Sequence, residues 1–306
     1  MHYDKNMTSF IIFCKSYRND VLRAKRLCES VALFNKSQIP FYLSVPAADI
    51  QVFNSVINFF NLNQLNKGHF FLIKDEDIVL SNPESTLYRY QKMSGYLSQQ
   101  VIKAEAWRFL KCRDYLCIDS DSYFHKEFYL KDFIHEDGLP YTLLHQNDDF
   151  FTSAKNLGHY NVIESFNKTC NLFKKEFGRT GPNWDFGPSP LIWSANIWAQ
   201  LSEVHLKNKR ETIWDAIERL PYEIFWYGEA LLKFSQLTVH PTKPKFFVHH
   251  YEWQPKNEFI TGQYLGIVSQ SNWDKSLNPI FAKKKFFSRL WKSIKKFIRS
   301  SKENTG

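Results

Sequence analysis

Residues 115–124 read YLCIDSDSYF. Tyr115 to Ile118 is a short apolar run of strand-forming residues, and it leads straight into Asp119-Ser120-Asp121. Two carboxylates two positions apart, where a chain leaves a strand, can point to the same side. In open α/β sheets, ligands bind beyond the carboxyl ends of the strands. Two hard oxygen donors there suit Mg2+ or Mn2+, which commonly takes one or two carboxylates together with phosphate oxygens. Such an ion would neutralise a diphosphate leaving group. In an isolated loop the same pair would be a solvated acidic turn, so its meaning depends on what surrounds it.

Upstream, Ser9 to Cys14 (SFIIFC) reads as a buried strand and VLRAKRLCESVALF (21–34) as an amphipathic helix. Then come a strand between Pro40 and Pro46, a helix over Asp49 to Phe60, and a strand over His69 to Ile73. A helix over Gln91 to Leu110 precedes the acidic strand. This alternation opens a doubly wound α/β sheet. Beyond Gly138 the pattern loosens: a strand at Tyr141 to His145, a helix at Tyr160 to Phe177, then the Gly/Pro-rich segment RTGPNWDFGPSP (179–190). The expected layout is a nucleotide-binding half (about 7–138), an acceptor half (139–281) and a tail (282–306). Met7 is a second possible start, because the six residues before it read as an unstructured lead-in.

The 306 residues are 43% apolar, enough for a large core, which excludes a disordered chain or one dependent on disulfides. Five cysteines without a CxxC pair read as reduced, buried residues of a cytoplasmic protein. The net charge of +9 is unevenly placed. Nine basic residues and Glu303 give residues 282–306 a charge of +8, so the other 281 residues carry +1. With no basic surface on the body, nucleic-acid binding is not expected.

Several stretches, in order, resemble the GT-A glycosyltransferases, in particular the family 8-like bacterial enzymes of surface-polysaccharide and lipopolysaccharide synthesis. These are FIIFCKSYRND (10–20), GYLSQQVIKAEAW (95–107), IDSDSYF (118–124), LPYEIFWYGEALL (220–232) and KPKFFVHHY (243–251). The resemblance implies a GT-A-like (Rossmann-like) mixed sheet flanked by helices, a nucleotide-sugar donor, a glycan or glycolipid acceptor, and Mn2+ or Mg2+.

On that basis Ser16, Tyr17 and Asp20 would hold base and ribose, although Asp20 also suits the N-cap of the next helix. Gln100, Lys103, Asp119 and Ser120 join the donor site. Lys103 would reach a phosphate or brace Asp119, or else be a solvated helix lysine. Asp119 and Asp121 are the expected metal ligands, with His249 preferred to His250 for the late histidine. An inverting enzyme needs a base for the acceptor hydroxyl, and Glu223, Glu229 and Asp185 compete for that role. Trp184 and Trp226 are expected near the acceptor, where sugar rings stack on aromatic faces.

In the tail, KKKFFSRLWKSIKKFIR (283–299) separates cleanly on a helical wheel. Phe286, Phe287, Leu290, Trp291, Ile294, Phe297 and Ile298 share one face, and six Lys and Arg residues occupy the other. This predicts a C-terminal amphipathic helix lying in an anionic membrane interface, on the inner face of the cell membrane. Two other readings fit parts of the sequence. A haloacid-dehalogenase-like phosphatase also uses a DxD after a strand, but expects Thr or Val where Tyr123 stands. The other is a non-catalytic module built around the tail.

Overall fold

The computed structural model describes residues 8–234, 239–249 and 263–270. The tail helix, His250 and Trp253 lie outside them, as does the side chain of His249. In chain order the elements begin with β1 (Thr8–Lys15), α1 (Val21–Phe34), β2 (Phe41–Val45), α2 (Ile50–Leu62) and β3 (Phe70–Lys74). Then come α3 (Asp75–Leu80), α4 (Leu87–Lys92), α5 (Gly95–Leu110), β4 (Cys112–Asp119) and β5 (Ser122–Phe124). The second half adds β6 (Tyr141–Leu143), α6 (Asp148–Asn156), α7 (Tyr160–Phe177), β7 (Leu191–Ser194) and α8 (Ala195–Gln200). It ends with α9 (Ile213–Arg219), α10 (Glu223–Phe234), β8 (His240–Thr242), β9 (Phe246–His249) and β10 (Gly266–Ser269).

Strand β1 shows why the sheet is central. Its run Phe10 to Cys14 is buried on both faces, as expected of a parallel strand covered by helices on both sides. Ile11 and Phe13 enter one core with Tyr115, Trp193 and the helices α5 and α8. Phe10, Ile12 and Cys14 enter the other with α1 and α2. The main sheet runs β3-β2-β1-β4-β7, parallel except for β7, which pairs antiparallel with β4. A second sheet, β5-β10-β9, and a two-stranded ribbon, β6-β8, complete the mixed α/β fold. All five cysteines are buried and unpaired.

The helix expected over 91–110 is divided. Ser94 caps α5, its hydroxyl accepting the Leu97 N–H at 3.3 Å, and α4 is a separate turn capped by Thr86. No helix among the described residues is long and apolar enough to cross a membrane.

Candidate functional site

The strand order reverses between β1 and β4, which places a ligand crevice at their carboxyl ends. Register pairs Lys15 with Asp119, so the segment after β1 and the DxD after β4 lie side by side. Ser16 is buried there, and its hydroxyl has no hydrogen-bond partner among the described residues. A buried orphan at the mouth of a crevice is poised for a polar group of a ligand. The ring of Tyr17 is exposed. Asp20 makes no side-chain cap on α1. Its carboxylate instead pairs with Arg23 at 2.6 Å and accepts from the Ser120 hydroxyl at 3.4 Å, joining the two loops.

Lys103 comes from the buried face of α5. Its ammonium lies 2.5 Å from Asp119 Oδ1 and 3.7 Å from Glu223 Oε1 at the start of α10. Burial alone would lower the pKa of Lys103, but the two carboxylates raise it above its ordinary value, so it stays charged. For Asp119, burial pushes the pKa up. The Lys103 charge and hydrogen bonds from Lys103 and Ser189 outweigh that and hold it below the usual carboxylate range. Glu223 goes the other way. Burial dominates, Lys103 opposes it, the Asp119 charge adds to it, and the net shift is upward. One cation therefore serves two carboxylates, leaving Asp119 ionised and Glu223 closer to neutral.

The fold brings the late-histidine position to the same edge. Ser269 of β10 donates its N–H to the Asp121 carbonyl at 3.0 Å, and its register partner on β9 is His249. Two strand spacings, about 10 Å, separate the backbones at 121 and 249. The two carboxylates after β4 are the kind of hard oxygen donors that a divalent ion accepts, and the backbone of residue 249 lies on the neighbouring sheet.

Other expected residues are committed elsewhere. Gln100 is buried, its amide accepting the Glu223 N–H at 3.2 Å and donating to the Tyr96 carbonyl at 3.3 Å, so it caps α10 and is not available to a donor. Both Glu229 oxygens bind Arg179, at 2.5 and 2.7 Å, in a buried bidentate pair that removes it as a base. Asp185 is also occupied, accepting from the Gly187 N–H at 2.9 Å and from Asn147 Nδ2 at 2.8 Å, so it shapes the turn it stands in. Trp226 is 0% exposed, packed on Phe173 and Phe177 with its indole N–H on the Leu220 carbonyl, so no sugar can stack on it. Trp184 is half-buried, and its carbonyl faces Cys170.

The open space near the start of α10 is lined differently. A cavity of about 590 Å³ lies between α6, α7, the start of α10 and β9, walled by Phe150, Phe166, Tyr222, Phe225 and Tyr264, with Asp185 at its edge. The aromatic surface is phenylalanine and tyrosine, where the sequence pointed to tryptophan. Two further site residues went unread in the sequence. Ser189 hydrogen-bonds Asp119 from the Gly/Pro segment, and its only sequence signal is a serine held between two prolines. Arg26 of α1 donates to the Asp121 carbonyl at 3.1 Å and covers the Tyr123 ring at 4.3 Å.

A protein-family model matches residues 8–289. The chain belongs to DUF6492, a family of unknown function. No curated protein matches it in sequence. Among solved structures, it is similar to mouse xyloside xylosyltransferase 1 in its apo form, at a TM-score of 0.52 and 10% identity, over 87% of this chain and 99% of that one. It is also similar to the apo bifunctional glycosyltransferase WbbM, at a TM-score of 0.52 and 10% identity, over 94% of this chain and 52% of that one. The chain thus spans about half of WbbM. At such identities the likeness is one of fold, and the DUF6492 chain has the mixed α/β fold of GT-A-like glycosyltransferases.

Two outcomes follow for stability. A Cβ at Gly228 would overlap the Phe186 ring, which belongs to the segment that carries Ser189. Gly228→Ala is therefore expected to cost about 1–3 kcal/mol through overpacking, read as a lower urea midpoint. A carboxyl whose folded pKa is raised, as at Glu223, contributes stability below its unfolded pKa and loses it as pH rises through the folded pKa. Glu223→Gln should thus be more resistant to urea than the parent at pH 8, with the gap closing toward pH 4.

Proposed function

We propose that the chain is a metal-dependent glycosyltransferase that moves a sugar from a nucleoside-diphosphate donor to a cell-surface glycan, lipopolysaccharide-core or lipid-linked acceptor. The observation that carries this reading is the Asp119–Lys103–Glu223 cluster at the carboxyl end of β4, set in a glycosyltransferase fold.

Ser16, Tyr17 and Asp20 would seat the nucleoside, with the Ser16 hydroxyl gaining the partner it lacks and Tyr17 offering a ring face. Asp119, Asp121 and His249 would hold the divalent ion, which when bound supplies the positive charge that a departing diphosphate needs. Lys103 positions Asp119 and adds a fixed cation to the same region. Glu223, with its raised pKa, is the proposed base for the acceptor hydroxyl. The aromatic cavity near the start of α10 is the acceptor site, with Phe225 and Tyr222 in place of the tryptophans expected there. The halves 7–138 and 139–281 then serve donor and acceptor respectively.

Metal-dependent hydrolysis of a panel of nucleotide sugars, followed by transfer assays, tests the assignment. Asp121→Asn should lower kcat by roughly 10²-fold or more. Glu223→Gln should lower transfer by about 10²–10⁴-fold with donor KM little changed. Parent-like turnover in Asp121→Asn would refute the reading.

The tail 283–299 is proposed as a membrane anchor. The full chain should sediment with phosphatidylglycerol-rich vesicles, less so as salt rises. A chain ending at residue 281 should bind them roughly tenfold or more weakly. Equal sedimentation of the two would remove the tail from the account.

A further inference from the structure

A second group of ligating side chains stands well away from the DxD. His135 and Asp137 occupy a tight turn in which the Gly138 N–H returns to the His135 carbonyl at 2.9 Å and the His135 N–H reaches the Leu139 carbonyl at 2.8 Å. The turn is flanked by the Ile134–Pro140 bridge. His240 opens β8 and pairs in register with Tyr141 of β6. These contacts bring the two rings together, stacked with centroids 3.7 Å apart and planes at 18°. Each ring turns one nitrogen to a different oxygen of the same carboxylate. His135 Nδ1 lies 3.1 Å from Asp137 Oδ1, and His240 Nε2 lies 2.7 Å from Asp137 Oδ2.

The chemistry of this arrangement asks for a cation. The Asp137 N–H is directed at His135 Nδ1 at 3.4 Å, which calls for a lone pair on that nitrogen. The ring nitrogens and the carboxylate oxygens therefore converge on one small volume that protons or a cation can bridge. Among the described residues, these three form a group of His, Cys, Asp or Glu whose ligand atoms all lie within 4.8 Å of one another. In a tetrahedral zinc site, bonds of about 2.0–2.2 Å put neighbouring ligand atoms roughly 3.3 Å apart. Rotating the stacked rings out of parallel would let both nitrogens aim their in-plane lone pairs at one ion. All three residues keep some exposure, which leaves room for a water as fourth ligand.

The site is separate from the donor crevice. The Gly138 carbonyl accepts from Arg113 at 2.8 Å, and Arg113 lies near the start of β4. Asp119 is six residues further on, about 20 Å along the strand. We propose that His135, Asp137 and His240 bind a single Zn2+ that staples the 135–138 turn to β8. Strand β8 leads directly into β9, so the staple fixes the path of the strand that ends at His249.

The test uses the untagged full chain carrying Asp121→Asn, stripped with chelator and titrated with Zn2+ by calorimetry. A parallel Co2+ titration is followed by visible absorption. The expected result is one Zn2+ per chain, a rise in Tm on binding, and tetrahedral Co2+ bands. His240→Gln, Asp137→Asn and His135→Gln should each weaken binding by at least about tenfold and remove those bands. Should His240→Gln fail to fold without metal, His135→Gln supplies the same readout from an exposed turn. Absence of binding in the Asp121→Asn chain overturns the proposal, as does unchanged affinity in the three variants.

Discussion

The ammonium of Lys103 is the fixed point of the site. It is buried, and a lone buried cation is costly, so its two carboxylates must be where they are. Asp119 arrives on a strand, Lys103 on the helix that precedes it, and Glu223 on a helix start more than a hundred residues later. The pair with Asp119 makes β4 end at a defined place relative to α5, and the contact with Glu223 sets the entry angle of α10. Removing the cation would leave two like charges together in a region with little water. The same arrangement that gives the crevice its chemistry therefore also holds three elements in register.

Helix α10 carries this constraint into the second half. Gly228 lets the Phe186 ring lie against the helix backbone, and Tyr227 sends its hydroxyl to the Ser194 N–H at 2.7 Å. The Arg179–Glu229 clamp ties the end of the α7 region to the same helix. The segment carrying Ser189 is thus pinned from behind while it touches Asp119 in front. Gly187, Pro188, Ile224 and Phe225 also line the aromatic cavity, so its wall shares residues with the support of the candidate site.

Much of this was legible from local pattern. Helices 21–34 and 160–177 follow their apolar periodicity to the residue, and the acidic pair stands at a strand end as its spacing implied. Strand β4 begins three residues earlier than its apolar run, because Asp114 is buried beside Arg113, which meets its charge at 2.7 Å. A polar pair of that kind hides a strand from hydropathy. The role of Glu229 was illegible for a related reason, since its partner Arg179 lies fifty residues away and only packing unites them. Glu223 and Glu229 look alike in sequence, and the difference between a bidentate arginine clamp and a carboxylate sharing a lysine is tertiary. Strands of three or four residues such as β5 and β10 leave no periodic signal, so the sheet that carries the 249 position could not be read in advance.

That small sheet sets an order of assembly. Strand β10 sits between β5 and β9, with Val268 opposite Ser122. The edge next to the DxD is closed by residues that follow it by more than a hundred positions. Pairings of such sequence separation form slowly, so a nascent chain can complete its main sheet, and bury its cysteines, while its acidic pair still lacks a neighbour. A chain cut off before β10 would then keep its main sheet and leave the edge beside the acidic pair open.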